Sequence, residues 1–325
     1  MGSCDCGCTC EHKKITREKE YQIIGTIMKR SGNNNESCLS QEIEQACNSL
    51  TGKNAGFSYI RRIILSCFLI LVLGFNSITT VYAAGVSKKS SKADVEIEFE
   101  TKDGFLIHGK LSLPKEKRAK YPLVVLLHSI GYSSKYWGNM PTLFNQAGFA
   151  VLAVDFRGHG ASIYDKNFRK KHWLYMSDKS YMDYPTDILS LLVYVSENYK
   201  NVSATNFAII GADIGANTAV LVADKLKVKP AAMVLISPST KFKGLYIPIA
   251  LANLGSTPIF VGVSSKDEYS IKQVNYIKRF AQGKFEVKSY PHGGIGMLML
   301  KVNPSMSVDI VNWVVKQYNA KATTK

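Results

Sequence analysis

The chain has 325 residues, a formal charge of +16 and an isoelectric point near 9.4. Length alone admits two domains, but only the last two-thirds alternates apolar runs with turn residues, so one folded domain is expected. The basic residues come in short scattered groups (Lys115, Lys117, Arg118 and Lys120; Lys166, Arg169, Lys170 and Lys171; Lys225, Lys227 and Lys229) without a nucleic-acid-reading motif. That pattern argues for a solvated basic surface and against a nucleic-acid partner.

Residues 1–58 are polar and carry most of the cysteines, with a loop-like Ser31-Gly32-Asn33-Asn34-Asn35 and no clear periodicity. They read either as a disordered cytoplasmic tail or as sequence upstream of the true start, and the second reading is favoured. All seven cysteines (Cys4, Cys6, Cys8, Cys10, Cys38, Cys47 and Cys67) precede or lie within the first long apolar run. The domain beyond it therefore has neither a disulfide nor a thiol nucleophile. Cys4, Cys6, Cys8 and Cys10 are spaced too closely to wrap one zinc comfortably, and no metal site is expected.

Residues 59–84 read as an export segment. Arg61 and Arg62 precede the apolar run from Ile63 to Phe75, and Val81-Tyr82-Ala83 offers small residues for cleavage before Ala84. No charged residue follows Ile63 until Lys88, so the same segment also fits an uncleaved anchor. Both readings place the following domain outside the cytoplasm, periplasmic, secreted or anchored. Membrane contact is expected only through residues 63–84 or the basic surface.

After a linker over 85–94, the domain is expected over 95–320, with a tail at 321–325. Val95, Ile97 and Phe99 alternate with polar residues into Lys102-Asp103-Gly104, and a second strand runs to Leu113, which predicts an opening β-hairpin. Further strands are predicted over Leu123 to Leu127, Ala150 to Asp155, Phe207 to Gly211, Ala231 to Ser237, Ile259 to Val263 and Phe285 to Tyr290. Helices are predicted over Trp137 to Gln146, Pro185 to Tyr199, Ile214 to Leu226, Ile271 to Phe280 and Ser305 to Tyr318. Short continuous apolar strands alternating with helices predict an α/β fold, a mostly parallel sheet covered on both faces.

Functional groups in such a sheet collect on loops at the carboxyl ends of strands. Gly211-Ala212-Asp213-Ile214-Gly215 follows one predicted strand and opens a helix, the spacing of a nucleophile elbow, with an aspartate at its centre. Asp267 follows the next-to-last strand and His292 the last. The order elbow residue, acid, histidine marks Asp213, Asp267 and His292 as candidate catalytic residues, with His292 as the general base. The bland readings are a helix cap for Asp213 and loop-bracing roles for His128 and His159.

The stretch from about Val95 to Tyr318 resembles bacterial α/β-hydrolases of the dienelactone-hydrolase-like and serine-aminopeptidase-like groups. The resemblance rests on Leu126-Leu127-His128-Ser129-Ile130-Gly131 with Trp137, Asp155-Phe156-Arg157-Gly158-His159-Gly160, the elbow, Ser237-Pro238 with Lys243-Gly244, Asp267-Glu268-Tyr269-Ser270, and His292-Gly293. It implies an oxyanion hole from the backbone N–H of Ser129 or Ile130 and that of Ile214. No metal or organic cofactor is implied, and no large cap domain.

Aspartate changes the chemistry expected of the elbow. Its attack on an ester would form an anhydride, higher in energy than the ester, whereas attack on saturated carbon forms an alkyl ester that water can cleave. Dehalogenases of the superfamily follow their aspartate with tryptophan or arginine, where this chain has Ile214. The interval from Ser162 to Asp187 is too short for an epoxide-hydrolase cap. Three readings stay open: an exported hydrolase of a small substrate using Asp213, Asp267 and His292; a silent hydrolase fold that binds a small ligand or partner; and hydrolysis without a covalent intermediate, with Asp213 or His292 activating water.

Overall fold

The computed structural model describes residues 94–323. The extension, the export segment, every cysteine and most of the linker lie outside them. Among the described residues no helix is long and apolar enough to cross a membrane.

The expected hairpin opens the domain as β1 (Asp94–Glu100) and β2 (Leu106–Ser112), paired antiparallel. Then follow β3 (Tyr121–Leu127), α1 (Met140–Gln146), β4 (Ala150–Val154), α2 (Asp178–Met182), α3 (Tyr184–Asn198), β5 (Val202–Ala212) and α4 (Ile214–Lys225). The chain continues through β6 (Ala232–Ile236), a two-strand ribbon of β7 (Lys241–Phe242) and β8 (Leu245–Tyr246), α5 (Pro248–Ala252) and β9 (Ile259–Ser264). It ends with α6 (Glu268–Ile277), β10 (Phe285–Tyr290), α7 (Met297–Val302) and α8 (Ser305–Thr323).

Eight strands form one sheet in the order β1-β2-β4-β3-β5-β6-β9-β10. β2 runs antiparallel to β4, and every pair from β4 to β10 is parallel. Side chains of a strand alternate between faces, and β3 shows both faces covered. Leu123, Val125 and Leu127 join one core with α3, α4 and α5, while Val124 and Leu126 join another with α1, α7 and α8. Burial on both faces is why these strands read as unbroken apolar runs.

The structure differs from the expected elements where local backbone or short length hides the signal. The predicted helix from Trp137 is a 3-10 turn over Ser134–Trp137 followed by α1, because Gly138 takes a φ of 60° and breaks the helical path. β5 begins at Val202, where Val202 and Ser203 pair with Tyr121 and Pro122 across a register shift. α2, α5, α7 and the β7–β8 ribbon are too short to show a period.

Candidate active site

β5 ends at Ala212 and α4 starts at Ile214, so Asp213 is the one residue between them. Asp213 has φ 54° and ψ −114°. The positive φ is the one an elbow demands, but this ψ lies outside the left-handed helical basin, in a region L residues rarely enter. Such strain costs on the order of 1–3 kcal/mol and persists only where the surroundings enforce it. Here they do: a Cβ on Gly211 would lie 2.1 Å from the Gly215 carbonyl oxygen, and one on Gly215 would lie 2.1 Å from that of Leu127. The two glycines let α4 start against the end of β3, and the Asp213 N–H is fixed on the Ile236 carbonyl at 2.8 Å.

Asp213 is buried at 1 % exposure, yet its side chain makes no capping hydrogen bond to α4. Capping therefore does not account for an aspartate here. Ile214, the first residue of α4, is fully buried, as are Ser129 and Ile130 on the loop after β3.

Two buried histidines hold that loop. The His128 Nε2 accepts the Phe156 N–H at 3.1 Å, so Nδ1 carries the proton and donates to the Ser129 carbonyl at 2.7 Å. The His159 Nε2 accepts the Gly131 N–H at 3.0 Å, and its Nδ1 faces the Arg157 carbonyl at 3.2 Å. The Trp173 ring stacks on His159 with centroids 5.4 Å apart. Both rings are thus braces made of neutral imidazole.

Beneath His159 lies an ion cluster. The Arg157 guanidinium donates to both Asp187 oxygens at 2.6 Å, to Asp103 at 2.8 and 3.1 Å, and to Asp183 at 3.3 Å. It ties the β1–β2 turn and α3 to the turn that carries His159.

Burial pushes both histidines below the ordinary imidazole range, His159 well below it. A folded value below the unfolded one of about 6.5 gives stability present above that pH and lost as pH falls, by up to about 1.4 kcal/mol per unit for each ring. Burial raises Asp187 to about 6, so its contribution is present in acid and lost as pH rises through that value, offsetting part of the histidine effect. The urea midpoint is expected to drop between about pH 7 and 5, and less steeply in His159→Gln. A drop unchanged by that substitution would place the proton uptake elsewhere.

Asp267 and His292 follow β9 and β10. The Asp267 Oδ1 accepts the Ser270 N–H at 3.0 Å and caps α6, while its Oδ2 is buried with no hydrogen-bond partner among the described residues. His292 is exposed, held by its backbone N–H on the Asn303 Oδ1 at 3.3 Å. The acid and histidine are therefore not hydrogen-bonded to each other in this conformation.

The segment after His292 lies over the elbow instead. The Met297 N–H donates to the Ser129 Oγ at 2.9 Å and the Gly296 N–H to the Ser237 Oγ at 3.0 Å. A Cβ on Gly296 would meet the Ser129 Oγ at 2.2 Å and the Asp213 Cβ at 2.9 Å. Gly296 has φ 55° and Gly294 φ 111°. Ser129 thus contributes a side-chain contact as well as backbone, and Ser237, itself at φ 51°, is a second serine beside the elbow that sequence reasoning did not assign. The glycines at 293, 294 and 296 were the available signal, since glycine marks close backbone approach.

The sheet order, with β2 as its one antiparallel strand and a strained elbow after β5, decides the fold. The chain has the α/β-hydrolase fold. A sequence model of the family described as serine aminopeptidase, S33, matches residues 118–260, which includes the elbow and stops short of Asp267 and His292. Among solved structures it resembles a dienelactone hydrolase from Anabaena variabilis, 14 % identical over 70 % of this chain and 97 % of that one, with a TM-score of 0.51. A thermostable carboxyl esterase from Bacillus coagulans is 16 % identical over 71 % and 99 %, with a TM-score of 0.54. An acetyl xylan esterase from Paenibacillus sp. R4 is 16 % identical over 70 % and 86 %, with a TM-score of 0.54. No curated protein matches the chain in sequence.

Proposed function

We propose that the protein is an exported hydrolase of a small substrate, with Asp213 as its nucleophile. The observation that carries this is the elbow: a carboxylate sits at a strained positive φ, enforced by Gly211 and Gly215 and not explained by capping. Strain of this kind is characteristic of functional positions. Export is supported by Arg61 and Arg62 ahead of the apolar run from Ile63 to Phe75.

The chemistry that suits this nucleophile is displacement at saturated carbon. An Asp213 oxygen forms a C–O bond as the leaving group departs with its electron pair, giving an alkyl ester of Asp213. Water then adds to the ester carbonyl, releases the alcohol and restores the carboxylate, and its proton passes to His292. In this reading the N–H groups of Ser129 or Ile130 and of Ile214 stabilise the oxyanion of the second step. Both steps require the 293–297 segment to move off the elbow and His292 to swing inward.

A second reading, a silent fold that binds a ligand, is favoured by a specific observation: His292 is exposed and the Asp267 Oδ2 is unengaged. One assay separates the two. Product formation by the full chain is followed chromatographically with esters, amides, haloalkanes and epoxides, beside Asp213→Ala and Asp213→Ser. The hydrolase reading expects turnover of a haloalkane or epoxide that falls by roughly a thousandfold or more in Asp213→Ala. An inert protein whose Asp213→Ser variant gains ester hydrolysis would reject the nucleophile and leave the binding role.

A further inference from the structure

Far from the elbow chemistry, the turn that follows β4 carries an aromatic residue in an unusual setting. Phe168 is 79 % exposed and has φ 56°. Left-handed backbone is ordinarily given to glycine or asparagine, and a bulky aromatic there is an outlier. A lone exposed apolar residue needs no explanation. This one combines exposure, backbone strain and a turn built rigidly beneath it.

The rigidity comes from Asp165, whose carboxylate is buried at the base of the turn. Its Oδ1 accepts the N–H groups of Asn167 and Arg169, each at 3.0 Å, and its Oδ2 accepts the Arg169 Nε–H at 2.8 Å. The Phe168 N–H closes the turn on the Asp165 carbonyl at 2.8 Å, and Lys166 is anchored to the Gly104 carbonyl at 2.8 Å through its backbone. The chain is thus stapled to the β1–β2 turn with the Phe168 ring pointing to solvent.

Basic residues flank Phe168 in the chain. Lys166, Arg169, Lys170 and Lys171 are all exposed. Arg169 is paired with Asp165, and Lys166 lies 3.9 Å from Glu100. Lys170 and Lys171 have no ion-pair partner among the described residues. Just beyond, Tyr175 is 77 % exposed with its ring 6.3 Å from that of His172.

We propose that the 164–171 turn docks the domain on an anionic lipid surface. Phe168 enters the boundary between headgroups and acyl chains, Lys170 and Lys171 lie on the anionic headgroups, and Tyr175 sits at headgroup depth. An exposed ring on a preordered turn loses little conformational freedom on insertion and gains the transfer of apolar area. Basic side chains close to an anionic leaflet add attraction that a neutral surface does not supply. The inference does not rest on Asp213 chemistry or on the export segment.

The test uses the full chain, whose own apolar run can also reach lipid, so the readout must be local to the turn. The chain has three tryptophans, and Trp137, Trp173 and Trp313 are all buried. A Phe168→Trp variant therefore adds one exposed fluorophore at the turn. On vesicles of phosphatidylcholine mixed with phosphatidylglycerol its added emission is expected to shift to the blue and to be quenched by brominated acyl chains. On phosphatidylcholine alone neither is expected. Adding Lys170→Glu and Lys171→Glu to this variant is expected to weaken the insertion by about twentyfold or more. Water-like emission on anionic vesicles, or equal insertion into both kinds of vesicle, would overturn the proposal; the first would leave the turn as a contact for another protein.

Discussion

Replacing Arg157 by methionine is expected to cost the folded protein about 3–5 kcal/mol, the usual penalty for removing one partner of a buried ion pair. Asp187, at 3 % exposure, would lose both of its 2.6 Å hydrogen bonds and stay buried. Asp103 would lose its clamp on the β1–β2 turn as well. For a domain of this size the loss should lower the melting temperature by roughly 6–20 °C. The deficit has a pH signature. Asp187 already titrates near 6 because of its burial, and without the guanidinium it rises further, so acid neutralises the stranded charge. The gap between variant and parent is therefore expected to narrow as pH falls towards about 6 and to change little below it. A gap of constant size from neutral to acid would mean that lost packing, including the guanidinium over the Phe105 ring at 5.1 Å, outweighs the charge.

Gly215→Ala is expected to destabilise the domain by about 3 kcal/mol or more, at the upper end for overpacking by one methyl group. The added carbon would lie 2.1 Å from the Leu127 carbonyl oxygen and 2.6 Å from that of His128. These are backbone atoms at the end of a central strand, so no rotamer change can relieve the contact. The helix α4 must back away from β3, which carries Asp213 and the Ile214 N–H away from the Ser129-Ile130 loop. Denaturant unfolding reads the stability change. Catalysis, if the nucleophile assignment holds, should fall with it even in the fraction that stays folded. A variant of parental stability would show that the elbow does not need its close approach to β3.

The elbow was legible in the sequence because it is local: two glycines flanking one residue after an apolar run describe a turn whose sterics are contained in a few residues. The α/β fold was legible for a related reason, since burial on both faces leaves unbroken apolar runs such as Leu123 to Leu127. Helix ends were less so, as Gly138 shows, because one residue's φ is enough to stop a helix. The disposition of Asp267 and His292 was beyond reach. Chain order places both on loops at one edge of the sheet, but whether their side chains meet depends on the path of the following segment. Here that path takes Gly296 and Met297 onto Ser129 and Ser237, and His292 outward.

What the sequence by itself determined is the inventory and its order: a long apolar run behind two arginines, a sheet covered on both faces, an elbow with a carboxylate at its centre, an acid and a histidine after the last two strands. Those follow from patterns a few residues long, where sterics and burial act on neighbours in the chain. Only the tertiary structure decided that His128 and His159 are neutral braces, that Arg157 binds Asp103, Asp183 and Asp187 together, and that the glycine-rich segment covers Asp213. Each of these is a contact between residues distant in sequence. Such contacts are set by how the elements pack, and no local preference of the chain encodes them.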